Sequence, residues 1–431
     1  MNEGDTEQQI DARPWLIWGL AAAYFFSDYF ARVAPSVMLP ELHTAFQVTA
    51  AGLGSLSAFF YYPYVAMQIP VGLIIDRHSI RNLLTFMSII TALGCMVFAL
   101  APVLWIAQLG RFLIGFSAAF AFVSALKLAA VWFPPARLGL LACLTQTLGM
   151  LGAAVGEAPV SLLVAGIGWR STMMLMAVIF VSLAYFIYRK VQDHPPTWHA
   201  VHRRASELPV LTSLWRVLRN PQAWWIALYA GFIFAPTAAM GELWGVAYLE
   251  HGRHFGPHAA AFANGLIFIG WGIGGPVTGW LTDRMGKRKP LMLLSAFMGM
   301  VILSILLFAP ELSLWQAYVL LFLFGMTNTG VAVAYAVSAE VNEKPVIGTS
   351  MAFTNMASVI VGAVLQPVIG YLIDVHSGLG VAKAMSYYQL DDFRAAMWIL
   401  PICSGLGIFC TIFIRETYCR PFESALTNPG A

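Results

Sequence analysis

Apolar runs of about twenty residues, each closed by a short polar turn, recur along the whole chain. A helix needs about 20 apolar residues to cross the bilayer core, and runs of that length fall at 15–39, 51–75, 83–101, 104–133, 138–167 and 171–188. Six more fall at 223–249, 259–281, 291–309, 314–338, 347–373 and 395–414. Between the two sets lies a polar, basic stretch with Pro195, Pro196, Arg203, Arg204 and a short amphipathic piece at 214–218. The pattern predicts an all-α membrane protein with an N-terminal tail 1–14, a six-helix bundle 15–188, a linker 189–221, a second six-helix bundle 222–415 and a C-terminal tail 416–431.

Composition narrows the class. Of the 431 residues 59% are hydrophobic and 10% charged, with mean hydropathy +0.73, against about 25% charged in soluble domains. Neither H-E-x-x-H nor G-x-S-x-G occurs, so no enzyme is expected. Cys95, Cys143, Cys403, Cys410 and Cys419 lie in or beside apolar runs without C-x-x-C spacing, which offers no disulfide framework or zinc site. His251, His254 and His258 lack a fourth ligand, so no metal is expected. The acidic, polar residues 1–13 lack the basic start of a cleavable signal, so the first span should remain as the insertion signal. Seventeen of the 24 Lys and Arg fall in loops on one side and four on the other, while Arg32, Arg111 and Lys127 lie inside spans. By the positive-inside rule both termini and the linker are cytoplasmic in the plasma (inner) membrane.

The halves read as diverged copies. At an offset of 207 to 210, Gly72 meets Gly279, Asp76 meets Asp283, Gly115 meets Gly325, Gly139 meets Gly348, Thr145 meets Thr354, Gln146 meets Asn355 and Glu157 meets Gln366. The collinear series implies two pseudo-symmetric bundles about an axis along the membrane normal, with a pathway between them.

Two charged turns carry a family resemblance. Gly72, Asp76, Arg77 and Arg81 follow the second span; Gly279, Asp283, Arg284, Gly286, Lys287, Arg288 and Lys289 follow the eighth. The pattern G-x-x-x-D-R-x-G-x-R-K resembles the signature loop of the major facilitator superfamily; the first copy has Ser79 in the place of the loop glycine. The resemblance implies the twelve-helix major facilitator fold, a gating role for both loops, and a substrate or proton-coupling role for Arg111, which begins an R-x-x-x-G setting in the fourth span. Superfamily antiporters carry G-x-x-x-G-P in the fifth span; here Glu157 takes the proline's place and the proline stands at Pro159.

Ionisable groups inside a bilayer are costly and mark functional sites by default. The acidic ones, Asp28, Glu157 and Glu242, are the proton-coupling candidates. Asp28 and Arg32, four apart, share a helix face and read as an ion pair or as cavity-lining groups, with Tyr24 on the same stripe. Estimated heights let Asp28, Arg32, Arg111, Glu157 and Glu242 converge in one site. Lys127 falls on the opposite side of its helix from Arg111, near the cytoplasmic end, for snorkelling or an inner gate. Tyr24, Arg32, Tyr62, Arg111, Asn328, Asn355 and Gln366 are the substrate-binding candidates, with Gln68, Tyr61 and Tyr64 as weaker ones.

The expected activity is secondary transport of a small solute by alternating access, driven by the proton gradient without a cofactor, by a monomer whose partners are its substrate and the lipid bilayer; no nucleic acid is expected. Balanced acidic and basic groups suit a zwitterion. Arg111 to Gly115, Trp132 to Pro135, Leu243 to Gly245, Asn355 and Gln366-Pro367 resemble the branch of bacterial amino acid and peptide importers and the lysosomal dipeptide transporter. The alternative is an exporter or exchanger of a drug, siderophore or organic anion.

Overall fold

The computed structural model describes residues 12–134, 137–195, 209–378 and 385–420; parts of both tails and of the linker, including Arg203 and Arg204, and the Asp76 side chain lie outside them. Among these residues the fold is helical throughout. The first half comprises α1 (Ala12–Val33), α2 (Leu39–Phe46), α3 (Ala50–Arg77), α4 (Ile80–Leu100), α5 (Leu104–Ala118), α6 (Ala121–Trp132), α7 (Leu138–Val155) and α8 (Ala158–Lys190). The amphipathic α9 (Val210–Arg219) leads into α10 (Pro221–Pro236), which continues through a π-helical stretch, Thr237–Trp244, the short α11 (Gly245–Ala247) and a second π-helical turn, Tyr248–Gly252. Then follow α12 (Pro257–Met285), α13 (Lys289–Phe308), α14 (Leu314–Thr327), α15 (Gly330–Glu340), α16 (Ile347–Ser377), α17 (Leu390–Met397) and α18 (Ile399–Phe413).

Nine stretches among the described residues are long and apolar enough to cross a membrane. One of them, Leu138–Lys190, holds two passes, because it turns at Gly168, whose φ of 79° is closed to most side chains. α1, less apolar because of Asp28 and Arg32, and α3, 28 residues long, add two helices of spanning length, consistent with twelve passes. α5 with α6 and α14 with α15 each make one pass broken near its middle.

The duplication is visible in the packing. A Cβ on Gly115 would lie 1.8 Å from the carbonyl oxygen of Phe60, and one on Gly325 would lie 1.9 Å from that of Ile267. In each half a glycine thus lets the fourth pass rest on the backbone of the second. Between the halves the two broadest contacts are α3 against α16 and α12 against α7. α3 corresponds to α12 and α7 to α16 under the sequence offset, so the two contacts are symmetry mates, as an axis along the membrane normal requires.

Candidate functional site at the seam between the halves

α1 ends at Val33, where a 3-10 turn, Ala34–Val37, with Pro35 near its start replaces the α-helix. The last turn of α1 therefore presents its carbonyls and Arg32 at the seam. Arg111 of α5, fully buried, donates from Nη1 to Ala31 O (3.0 Å) and from Nη2 to Arg32 O (3.1 Å). It supplies donors to a helix end that lacks its own, and its guanidinium lies over the Phe60 ring at 4.9 Å.

The Arg32 side chain crosses to the other half. Its Nε donates to Glu242 Oε2 at 3.1 Å, and its Nη2 stands 2.9 Å from Oε1, in ion-pair range without hydrogen-bond alignment. The two side chains are 2% and 1% exposed. Five rings, those of Tyr29, Phe60, Tyr61, Tyr64 and Phe234, surround the guanidinium at 5.1 to 5.9 Å, and such faces attract a cation. The Tyr61 hydroxyl also donates to Glu242 Oε2, and Gln366 Nε2 donates to Tyr61 Oη (3.2 Å) and Ala238 O (2.8 Å). Glu242 reaches the seam from the π-helical stretch of the seventh pass.

Glu157 forms the second polar cluster, where the fifth pass breaks between α7 and α8. Its Oε1 accepts from Ser36 Oγ (2.9 Å) and from Asn264 Nδ2 (3.0 Å), and Asn264 Nδ2 also donates to Gly241 O (2.7 Å), next to Glu242. Glu157 Oε2, fully buried, has no hydrogen-bond partner. Gly245 makes room for Asn264: a Cβ there would stand 2.1 Å from Asn264 Oδ1. Farther along α3, Gln68 Oε1 accepts from Asn355 Nδ2 (2.7 Å), and Asn355 Oδ1 from Tyr335 (2.7 Å).

Arg32, Glu242, Glu157, Gln366 and Asn355 thus meet at the seam, but several pairings differ from those expected. Arg32 pairs with Glu242 and not with Asp28. Asp28 is buried, within electrostatic reach of Arg32 and Arg111, and its Oδ1 has no hydrogen-bond partner. Arg111 holds backbone and does not pair with Glu157. Tyr24 turns into the first bundle, where its hydroxyl meets Thr91 Oγ1 (3.1 Å) and Ser117 O (3.3 Å). Tyr62, 49% exposed, packs on Phe59, off the face that Gly54, Tyr61 and Gln68 share at a spacing of seven. Asn328 donates to Thr237 inside the second bundle (2.6 Å). Lys127 Nζ donates to Ile75 O (2.6 Å) at the end of α3. Of Ser36, Asn264 and Tyr335, which complete these clusters, only Asn264, an amide inside an apolar run, carries a signal in the sequence.

The family model of the Major Facilitator Superfamily matches residues 20–367 and 243–428. The chain belongs to this superfamily. It is 26% identical to the probable sulfoacetate transporter SauU of Cupriavidus necator, over 97% of this chain and 98% of that protein. It is 22% identical to a probable hexose phosphate transport protein of Chlamydia pneumoniae, over 81% and 84%. Among solved structures, a bacterial homolog of the human lysosomal transporter Spinster superposes with a TM-score of 0.74 at 14% identity, over 95% and 98% of the two chains, which supports the fold alone. The protein is thus a membrane transporter of the superfamily and not an enzyme. Its second signature loop folds within its own half: Arg288 donates to Asp283 (2.8 Å), Thr282 (2.8 Å) and Glu340 (2.8 Å), with Asp283 70% exposed.

Proposed function

We propose that this transporter carries a small organic anion together with a proton, with Arg32 as the anion's partner and Glu242 as the carboxylate that takes its place when the anion is absent. The observation that carries this reading is the buried Arg32–Glu242 pair spanning the two halves. A substrate anion and Glu242 compete for one guanidinium, and protonating Glu242 releases it.

Charge bookkeeping then sets the coupling. The empty pair is neutral, and so is Arg32 with a bound monoanion beside protonated Glu242. The anion alone leaves one negative charge at the seam and the proton alone one positive charge. Breaking a buried pair in this way costs about 3–5 kcal/mol, so the half-loaded carrier is held back and one proton, carried by Glu242, accompanies each monoanion. A zwitterion would need a second carboxylate for its amino group; Glu242 is engaged with Arg32, and Asp28, one turn away with an oxygen unpartnered, is the group that would have to serve, which is why amino acids and dipeptides belong in the test. Sulfoacetate and hexose phosphate, in the names of the two relatives, are organic anions. Uptake into the cell, with the signature loops on the cytoplasmic side, is the direction proposed.

Reconstitution into liposomes tests the reading. With the outside acidified, a panel of sulfonates, hexose phosphates, hydroxy acids, amino acids and dipeptides should show accumulation of an anion that collapses with a protonophore. Accumulation of amino acids or dipeptides, with every anion excluded, would overturn it.

A further inference from the structure

At the end of the molecule away from the signature loops, α3 and α16 cross with their backbones in near contact. A Cβ on Gly370 would stand 2.4 Å from Ala50 O, and one on Gly54 would stand 2.5 Å from Gln366 O. One turn beyond Gly370, the Asp374 carboxylate of the second half reaches the first turn of α3 in the first half. Its Oδ1 accepts from Ala50 N (3.0 Å) and its Oδ2 from Ala51 N (2.8 Å). Tyr388, from its own half, donates to Oδ1 at 3.1 Å.

These bonds satisfy two of the N–H groups that the start of every helix leaves without an intrahelical partner, and a negative charge is favoured there. The residue before them is Thr49, among the types that normally cap a helix N-terminus. Its φ of −79° and ψ of 176° suit that role, yet its side chain makes no capping bond. The amides of one helix thus have two suitors: a carboxylate from the opposite half, engaged here, and a hydroxyl from their own, held in reserve.

We propose that Asp374 and Thr49 form an exchangeable cap that gates the far end of the seam. While the halves are closed there, Asp374 caps α3. As they part, Asp374 withdraws and the Thr49 hydroxyl takes over the Ala51 amide, so that the open state does not leave the start of α3 without a protein cap. The exchange favours two discrete positions of α3 over a continuum between them. This rests on the reading of two halves that part in turn, but not on which solute they carry.

Spin labels at Thr44→Cys and Glu311→Cys, exposed positions in the first and second halves at this end, in a chain with its five native cysteines replaced, report the separation by pulsed dipolar spectroscopy. Asp374→Ala should raise the ratio of separated to closed molecules about fivefold, the ratio a typical helix cap sets, and Asp374→Asn should raise it less. Thr49→Val alone, which leaves the Asp374 cap of the closed state in place and removes the cap of the open one, should lower the ratio by a similar factor. An unchanged ratio in Asp374→Ala, or in Thr49→Val, overturns the proposal. No substrate is needed, so this result and the anion assignment fail separately. A monodisperse elution profile with unchanged helix content identifies variants that fold.

Discussion

Arg32 and Glu242 lie at neighbouring heights in corresponding helices of the two halves. The 210 positions between them fall within the 207 to 210 that relate the halves. Corresponding helices have thus received opposite charges within about a turn of one another, and the pseudo-twofold axis brings the two together. Neither charge is stable there without the other, which makes the pair a natural place for a proton and an anion to act.

Glu242→Gln removes the negative charge but keeps the size of the side chain. The anion-loaded carrier stays neutral and the empty carrier gains an uncompensated positive charge. Exchange of labelled for unlabelled substrate should continue near the wild-type rate, while accumulation against a gradient should fall at least tenfold. Counterflow and net uptake in the same liposomes separate the two.

Arg32→Met alone leaves Glu242 buried without its cation and should lower stability by about 3–5 kcal/mol. The double variant Arg32→Met/Glu242→Leu replaces both charges with apolar groups and should recover most of that loss while remaining unable to transport. Thermal unfolding in detergent, with an uptake assay, checks both halves of the statement.

Arg111→Gln takes two charged donors from the carbonyls of Ala31 and Arg32. Leaving buried acceptors unpaired costs about 1–3 kcal/mol each, so the melting temperature should drop. Because Arg111 holds the backbone and not the anion, Arg32→Lys should raise KM more than Arg111→Lys does. A larger KM effect at Arg111 would return that residue to the substrate.

Gly115→Ala and Gly325→Ala place a methyl group inside 2 Å of a carbonyl oxygen and should each destabilise by 1–3 kcal/mol or more, about the range for overpacking. Gly139→Ala and Gly348→Ala, an equally well-matched pair in the duplication, meet nothing within 4 Å and should be tolerated. Expression and melting temperature of the four variants decide.

The fold was largely legible because its signals are local or repeated: apolar runs of fixed length, charged turns at their ends and a collinear offset. The site was legible only in its inventory. Asp28 and Arg32 are a plausible pair by helical spacing, but that rule sees four residues and the partner of Arg32 lies 210 away. Arg111 binds carbonyl oxygens, and since every residue has one, no sequence pattern marks them. Tyr61 and Tyr62 are alike in sequence, yet the turn of 100° between neighbours sends one to Glu242 and the other away from the seam. Asp374 lies at a span end, where a carboxylate reads as loop charge. The offset narrows the search, since 207 to 210 residues beyond Arg32 lie Ala239 to Glu242.

The turn at Gly168 joins the fifth and sixth passes without a loop. A hinge of one residue leaves no slack: when the fifth pass leans, the sixth must lean with it, and α4, packed along the same long helix, is carried too. Glu157, at the head of α8 eleven residues before the turn, is thus mounted on a stiff V-shaped lever, whose angle is set by a single glycine at the far end of the fifth pass.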